Sequence, residues 1–289
     1  MHMRNAFFLL LLAASPLFAH PPVSVVFDSR GNAYYSDLAQ VWQVAPDGTK
    51  RVVVPGVHTH ELYIDAQDNL FGEHLWYEGE AIDKWGHYVW RRDARGVVTK
   101  VIPNTEGFLT NYSFIRDRAG NMYFAKDNAV IRRTPAGRNE VLASGVFRDI
   151  RWMNVTPSGT LYFTDAGDVV RITPDKRLTR LARGLATRSM LRPYVDNRHA
   201  IQGIWYDAAG NVYLADSAHA QVKRVTPAGA VTVVLESTPP WSPCGGAFDR
   251  SGRLWTLEYS PTNMIRLRNA GVPPAGRAPS RRPGGGTPP

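Results

Sequence analysis

A short phrase recurs six times along the chain and constrains its fold more than any other feature. It consists of an apolar run, an aspartate, two further residues, Gly-Asn or a close variant, and an aromatic-rich run. Residues 25–37 and 204–216 are clear copies, and the others centre near positions 69, 121, 160 and 253. The copy near position 160 is degenerate, with Thr156 in place of the aspartate. Gly and Asn tolerate a positive φ, while β-branched and aromatic residues favour strands. Each copy therefore predicts a β-hairpin.

Each hairpin is followed by a third apolar run, a second turn and a fourth run. In the first repeat these are residues 40–44, Asp47-Gly48 and residues 51–54. The repeat positions 32, 69, 121, 160, 211 and 253 lie 37, 52, 39, 51 and 42 residues apart. Four strands in about 40 residues is the signature of a propeller blade. The sequence therefore predicts an all-β chain, a six-bladed β-propeller with four-stranded antiparallel blades.

The ends of the chain differ from the repeats. Residues 1–19 combine Arg4, a short apolar run and a small residue at position 19, which is the pattern of a secretory signal peptide. Residues 20–269 carry the propeller, and residues 270–289 form a Pro/Gly/Arg-rich tail that we expect to be disordered. The last blade shows three convincing strands, so the way in which the ring closes stays open. We expect a secreted or periplasmic protein without a membrane span after cleavage.

Charge and cysteine content narrow the possible functions. The net charge is +9, but the basic residues are spread along the chain and form no dense stripe, so we expect no nucleic-acid partner. Cys244 is the single cysteine, which excludes an intramolecular disulfide. We expect a monomer that is held together by its apolar core.

The phrase Asp-x-x-Gly-Asn-x-Tyr-x-x-Asp followed by Val-x-Arg-Val resembles the NHL-repeat propellers and the gluconolactonase (senescence-marker) group. The resemblance covers roughly residues 22–268 and rests on turn and packing residues, so it implies the fold more than the activity. Gluconolactonases hold a divalent cation at the channel mouth with a Glu, an Asn and an Asp. The corresponding positions here do not carry that set over, and they read Val23, His60, Tyr112, Arg151, Gln202 and Cys244.

We call the face where inner strands begin and second strands end the top face. The hairpin register predicts cross-strand pairs there, which would ring the upper channel mouth and form a small-ligand site. The pairs are Val23 with Asp37, His60 with His74, Tyr112 with Lys126, Arg151 with Asp165, Gln202 with Asp216, and Cys244 with Glu258. Long insertions on this face, residues 75–87 and 185–198, favour function there.

Two of these pairs suggest specific chemistry. His60 opposite His74 would share a divalent metal such as zinc or calcium, with Glu61 and Glu73 close in sequence; the alternative is a pair of surface histidines bonded to neighbouring acids. Arg151 opposite Asp165 would clamp an anionic substrate; the alternative is a structural ion pair.

The aromatic insertion of the second repeat offers a further candidate surface. Trp76 and Trp85, with neighbouring tyrosines and acids, form either a stacking platform for a sugar or another flat ligand, or the packing of the insertion against its blade.

Two functions are therefore compatible with the sequence. The first is a propeller that binds a small molecule or a protein on its top face. The second is a metal-dependent hydrolase or lyase of the gluconolactonase-like type, or similar to the amidating lyase, which uses zinc held by histidines. In that enzyme His60 and His74 would hold the metal, and Arg151 or Tyr112 would be the catalytic residue that orients the substrate.

Overall fold

The computed structural model describes residues 21–189 and 199–273, and all regular secondary structure in these ranges is β-strand. The strands form six antiparallel sheets in chain order, which confirms the predicted six-bladed β-propeller. Blades 1 and 2 comprise β1 (Val26–Phe27), β2 (Ala33–Ser36), β3 (Gln40–Val44), β4 (Lys50–Pro55), β5 (Leu62–Ile64), β6 (Leu70–Tyr77), β7 (Trp85–Arg92) and β8 (Val98–Glu106). Blades 3 and 4 comprise β9 (Met122–Lys126), β10 (Ala129–Arg133), β11 (Asn139–Ser144), β12 (Ile150–Val155), β13 (Leu161–Asp165), β14 (Asp168–Ile172) and β15 (Leu178–Ala182). Blades 5 and 6 comprise β16 (Ile201–Tyr206), β17 (Val212–Asp216), β18 (Gln221–Val225), β19 (Val231–Glu236), β20 (Ser242–Phe248), β21 (Leu254–Tyr259) and β22 (Ile265–Gly271).

The number of strands per blade departs from the expected four in two places. Blades 3 and 6 are three-stranded sheets, whereas the other blades have four strands. In blade 3 a single bridge between Arg116 and Met122 stands where a regular inner strand would run. Blade 6 ends with β22, in agreement with the three strands that the sequence indicates.

The recurring phrase forms the turn at the bottom of each hairpin. In the first copy the Asp28 carboxylate accepts hydrogen bonds from the backbone nitrogen of Asn32 (2.8 Å), its side-chain amide (2.6 Å) and the Tyr34 hydroxyl (2.9 Å). Gly31 supplies the positive φ of 83° that this turn requires. The same contacts recur around Asp207. The repeated residues are therefore structural, and they leave the opposite face to carry function.

The inner strands of blades 4, 5 and 6 each contain a register shift near the top face. Met153 pairs with Phe163 as predicted, but the shift brings Ile150, not Arg151, opposite Asp165. Ile201 and Pro243 likewise replace Gln202 and Cys244 as partners of Asp216 and Glu258. The predicted pairs in these three blades are wrong by one residue, because a β-bulge moves every side chain above it to the other face.

The ring closes through the N-terminal segment, not through a shared fourth strand. Val23 donates its backbone N–H to the His60 carbonyl oxygen of blade 2 at 3.0 Å. On its other side, a Cβ at Gly245 of blade 6 would lie 2.0 Å from the Val23 carbonyl oxygen, so only glycine permits this approach. Phe27 and Trp255 then pack edge to face across the blade 6–blade 1 boundary, with ring centroids 6.0 Å apart.

Apolar side chains between neighbouring sheets form the core. Trp205 and Tyr213 of blade 5, for example, pack in one cluster with Leu254 of blade 6. Among the described residues, five such clusters contain large aromatic or aliphatic side chains, packed within a blade or between two blades. This packing fixes the inner strands around the channel.

Several predictions concern residues beyond the described ranges. Residues 1–19, predicted as a signal peptide, lie outside them, as do positions 190–198 of the second insertion and 274–289 of the tail. β22 runs to Gly271, which is past the predicted end of the propeller at residue 269. Among the described residues there is no helix of the length and hydropathy needed to cross a membrane.

Candidate functional site

A cavity of about 340 Å³ lies at the top end of the channel, and we call it the mouth cavity. Its wall includes Glu61, Tyr112, Arg151, Trp152 and His199, which come from blades 2 to 4 and from the segment that precedes β16. A second space of about 240 Å³ continues down the channel between the inner strands of all six blades. Glu61 and Trp152 line both spaces, so they stand where the mouth cavity meets the channel.

Glu61 directly precedes β5 and is half-buried at this junction. Its carboxylate makes no hydrogen bond or ion pair with any described residue. Burial, and then the negative charge of Glu73, raise the pKa of the Glu61 carboxyl from 4.5 to about 7. A carboxyl that faces a cavity without a partner and titrates near neutrality is typical of a binding or proton-transferring group.

Glu73 on β6 is the second carboxylate of this region and is buried, with 5% of its surface exposed. One oxygen, Oε1, accepts the backbone N–H groups of His60 (2.7 Å) and Glu61 (3.3 Å). The other, Oε2, has no hydrogen-bond partner within the described ranges. Glu61 and Glu73 therefore lie close together, and their mutual repulsion contributes to the raised pKa of Glu61.

Aromatic side chains of blades 3 and 4 are held in place around the mouth cavity. Tyr112 contacts Phe114 edge to face at 5.3 Å, and the Arg116 guanidinium lies 5.0 Å from the centre of the Tyr112 ring. Burial raises the pKa of the Tyr112 hydroxyl, so this group stays protonated and can donate. Trp152 donates its ring N–H to the Ile201 carbonyl oxygen, which fixes the indole between blades 4 and 5.

Arg151 reaches the mouth cavity, but its partner differs from the predicted one. Its Nε donates to the Asp149 carboxylate at 2.9 Å, two positions earlier in the chain. Asp165 instead binds Arg180 at 2.7 Å. The register shift explains this change of partner, because it brings Ile150 opposite Asp165, whereas Arg151 lines the cavity.

Three predicted ligand-binding carboxylates, Asp165, Asp216 and Glu258, are fully buried with 0% exposure. Asp216 forms an ion pair with Lys223 and a hydrogen bond with His219, and Glu258 forms ion pairs with Arg266 and Arg268. These acids neutralise basic side chains from neighbouring strands of their own blades. In this conformation a ligand in the channel has no access to them.

The remaining predicted polar residues lie around the mouth cavity without lining it. The buried Gln202 donates through Nε2 to the Tyr259 hydroxyl at 3.3 Å, and its Oε1 has no hydrogen-bond partner within the part of the chain that the structure describes. Lys126 is exposed and donates to the Asn111 side chain at 3.2 Å.

The two histidines predicted to share a metal have different surroundings. His74 Nδ1 accepts the backbone N–H of His58 at 3.0 Å, and its ring stacks on Tyr88. The Nδ1 of His60 lies 3.7 Å from Glu73 Oε1. No three or more His, Cys, Asp or Glu side chains in the described ranges are placed to hold a metal ion. The divalent cation of the gluconolactonase-type site therefore finds no matching donor set in these ranges.

The predicted aromatic platform is an extension of the β6–β7 hairpin. Trp76 packs over Gly86, where a Cβ would lie 2.2 Å from the indole. Trp85 packs against Phe108, with ring centroids 3.5 Å apart. Both tryptophans are half-buried by these contacts, and neither lines the mouth cavity.

Sequence reasoning noted Glu61 only as a neighbour of the two histidines and missed its place in the cavity. The available signal was local: an acid stands at the start of an inner strand, directly before the apolar Leu62. Its importance depends on Trp152 and His199, which come from distant blades.

No model of a known protein family matches this chain, and no curated protein matches it in sequence. Solved structures do resemble it. A gluconolactonase from Xanthomonas campestris has a TM-score of 0.57 and 17% identity, over 87% of this chain and 85% of that one. Regucalcin, a calcium-binding protein from Agrobacterium tumefaciens, has a TM-score of 0.53 and 13% identity, over 91% and 94%. An auxiliary nutrient binding protein from Bacteroides thetaiotaomicron has a TM-score of 0.55 and 14% identity, over 86% and 68%.

These likenesses confirm the predicted resemblance in fold to gluconolactonase-like propellers. The proteins concerned include an enzyme and a binding protein by name. At these identities the comparison describes the fold alone, so any function has to be argued from the residues of this chain.

Proposed function

We propose that this protein binds a small organic molecule in the mouth cavity of its propeller. The observation that carries the proposal is the Glu61 carboxylate, which has no partner among the described residues and faces a cavity of about 340 Å³. That volume lies within the range of small-molecule sites, which are concave and combine apolar walls with a few polar groups. Tyr112 and Trp152 supply apolar walls here, and Arg151 adds a hydrogen-bond donor.

The geometry favours binding over the metal-dependent hydrolase or lyase. Metal-assisted hydrolysis needs several ligands around one open coordination position. The described residues contain no group of three or more His, Cys, Asp or Glu side chains that could hold a metal.

A thermal-shift screen tests the proposal. A panel of sugars, lactones, amines, amino acids and carboxylates would be added to the wild type, to Tyr112→Ala and to Tyr77→Ala. Tyr77 is a matched control because it is 54% exposed on the β6–β7 hairpin. A ligand at about 100 times its Kd stabilises the folded state by about 2.7 kcal/mol, which corresponds to a Tm increase of about 5–10 °C for a chain of this size.

We expect at least one compound to raise the Tm of the wild type and of Tyr77→Ala, and to lose most of its effect on Tyr112→Ala. A compound whose effect survives in Tyr112→Ala binds elsewhere and contradicts the proposed site. A panel without any binder would also count against a small-molecule function.

We further propose that the protein acts outside the cytoplasm, because residues 1–19 have the pattern of a signal peptide. Intact mass of the protein purified from its native host should correspond to a chain that begins at His20. A mass that includes residues 1–19 would contradict export by this route.

A further inference from the structure

We propose that the mouth cavity selects ligands that carry a positively charged amine, which forms an ion pair with the Glu61 carboxylate. This inference rests on the proposed binding function and specifies the chemical class of its ligand. It goes beyond that function, because a small-molecule cavity of this size could equally hold a neutral or an anionic compound.

Glu61 lacks a counter-charge among the described residues. A carboxylate that is removed from water is costly unless a cation or several hydrogen-bond donors compensate it. Asp165, a fully buried acid of this propeller, follows that rule with Arg180 at 2.7 Å. Glu61 has no such partner among the described residues. A ligand with an ammonium group would supply the missing cation.

The charged groups around Glu61 also favour a cationic ligand. Glu73 lies beside Glu61 and accepts its backbone N–H, so a second, buried acidic group stands next to the one that lines the mouth cavity. Arg151 lines the wall of the mouth cavity, and its guanidinium is already paired with the Asp149 carboxylate at 2.9 Å. Arg116 at the channel side donates to the Ser113 carbonyl oxygen and lies over aromatic rings. An anionic ligand would therefore meet repulsion at Glu61.

The walls of the mouth cavity include aromatic rings. Tyr112 and Trp152 line the cavity with ring surface, and both are fixed by contacts with neighbouring groups. Aromatic faces attract cations and also bury the apolar body of a ligand. A compound with an ammonium group and a short apolar or aromatic body would therefore use Glu61 and the walls together.

The test compares benzylamine with benzyl alcohol and benzoate, three probes of nearly the same shape that differ in charge. Binding would be measured by isothermal titration calorimetry at about pH 8, with the wild type, Glu61→Gln and Glu106→Gln. Glu106 on the same blade is a matched control because its side chain is 69% exposed. Circular dichroism would show that each variant is folded.

We expect wild-type protein to bind benzylamine at least tenfold more tightly than benzyl alcohol or benzoate. Glu61→Gln should lose at least tenfold in benzylamine affinity and keep its affinity for benzyl alcohol, whereas Glu106→Gln should behave as the wild type does. If the wild type binds benzylamine no more tightly than benzyl alcohol or benzoate, that result alone overturns the inference. Retention of full benzylamine affinity by a folded Glu61→Gln would also overturn it.

The two proposals fail in different ways. If benzyl alcohol or benzoate binds more tightly than benzylamine, and Tyr112→Ala abolishes that binding, the mouth cavity is a ligand site and the cationic class is wrong. If no probe binds and the wider thermal-shift panel also yields no binder that depends on Tyr112, both proposals are wrong.

Discussion

Replacement of Glu61 by glutamine should change how the stability of the protein depends on pH. The folded-state pKa of Glu61 is about 7, against the ordinary value of 4.5. Because the folded-state value is the higher one, the protonated carboxyl favours folding. That contribution is complete below about pH 4.5 and is lost as the pH rises through 7. The two pKa values differ by about 2.5, and each pH unit corresponds to about 1.4 kcal/mol, so the ionisation of Glu61 costs the folded state about 3 kcal/mol.

Urea denaturation of the wild type and of Glu61→Gln at about pH 5 and pH 8 measures this cost. Glutamine resembles the protonated glutamate and does not ionise. Part of the cost is already present at pH 5, so Glu61→Gln should gain about 2.5 kcal/mol over the wild type between the two pH values. The difference between the two proteins removes the effect of all other titrating groups. Glu106→Gln controls for the loss of an exposed carboxylate. If the unfolding free energies of wild type and Glu61→Gln change in parallel with pH, then Glu61 is not desolvated as described.

Three other predictions test closure, buried charge and metal content. Gly245→Ala should lower the free energy of unfolding by about 2 kcal/mol or more, because its Cβ would lie 2.0 Å from a backbone oxygen of the N-terminal segment; an unchanged urea midpoint would contradict this closure. Arg180→Met should cost about 3–5 kcal/mol in the same assay, since it leaves the fully buried Asp165 carboxylate without its cation; a loss below about 1 kcal/mol would contradict that assignment. Elemental analysis of the purified protein should show less than one equivalent of zinc or calcium; one equivalent that a His60→Ala, His74→Ala double variant loses would establish the two-histidine site instead.

Local sequence was sufficient to predict the hairpins and the number of blades. The turn contacts of Asp28 with Asn32 and Tyr34 lie within one short stretch of chain, so their pattern is visible in each repeat. The three strands of blade 6 can also be predicted from the sequence. No fourth apolar run follows β22 at the spacing found in the other repeats. These features depend on neighbours in sequence and not on the packing of distant blades.

The register at the channel mouth could not be predicted in the same way. A register extended outward from the turn holds as far as Met153 and fails at the bulge between Met153 and Ile150, which contains Arg151. Because side chains alternate between the two faces of a strand, one extra residue exchanges a cavity-lining position for a buried one. The predicted partnership of Arg151 and Asp165 failed for this reason, although Arg151 does reach the mouth cavity.

The position of Glu61 was beyond the reach of the sequence for another reason. Its environment is made by Glu73, Tyr112, Trp152 and His199, which are spread over a large part of the chain. No periodicity indicates that these residues meet. Only the closed ring shows that the acid faces a cavity and has no partner among the residues that the structure describes.

A crystal structure of the protein grown with saturating benzylamine would show directly whether Glu61 binds the amine of a ligand in the mouth cavity. We expect density for one benzylamine in the mouth cavity, with its nitrogen within hydrogen-bond distance of the Glu61 carboxylate and its ring against Tyr112 or Trp152. A mouth cavity that holds only solvent under these conditions, or a benzylamine bound away from Glu61, would contradict the account.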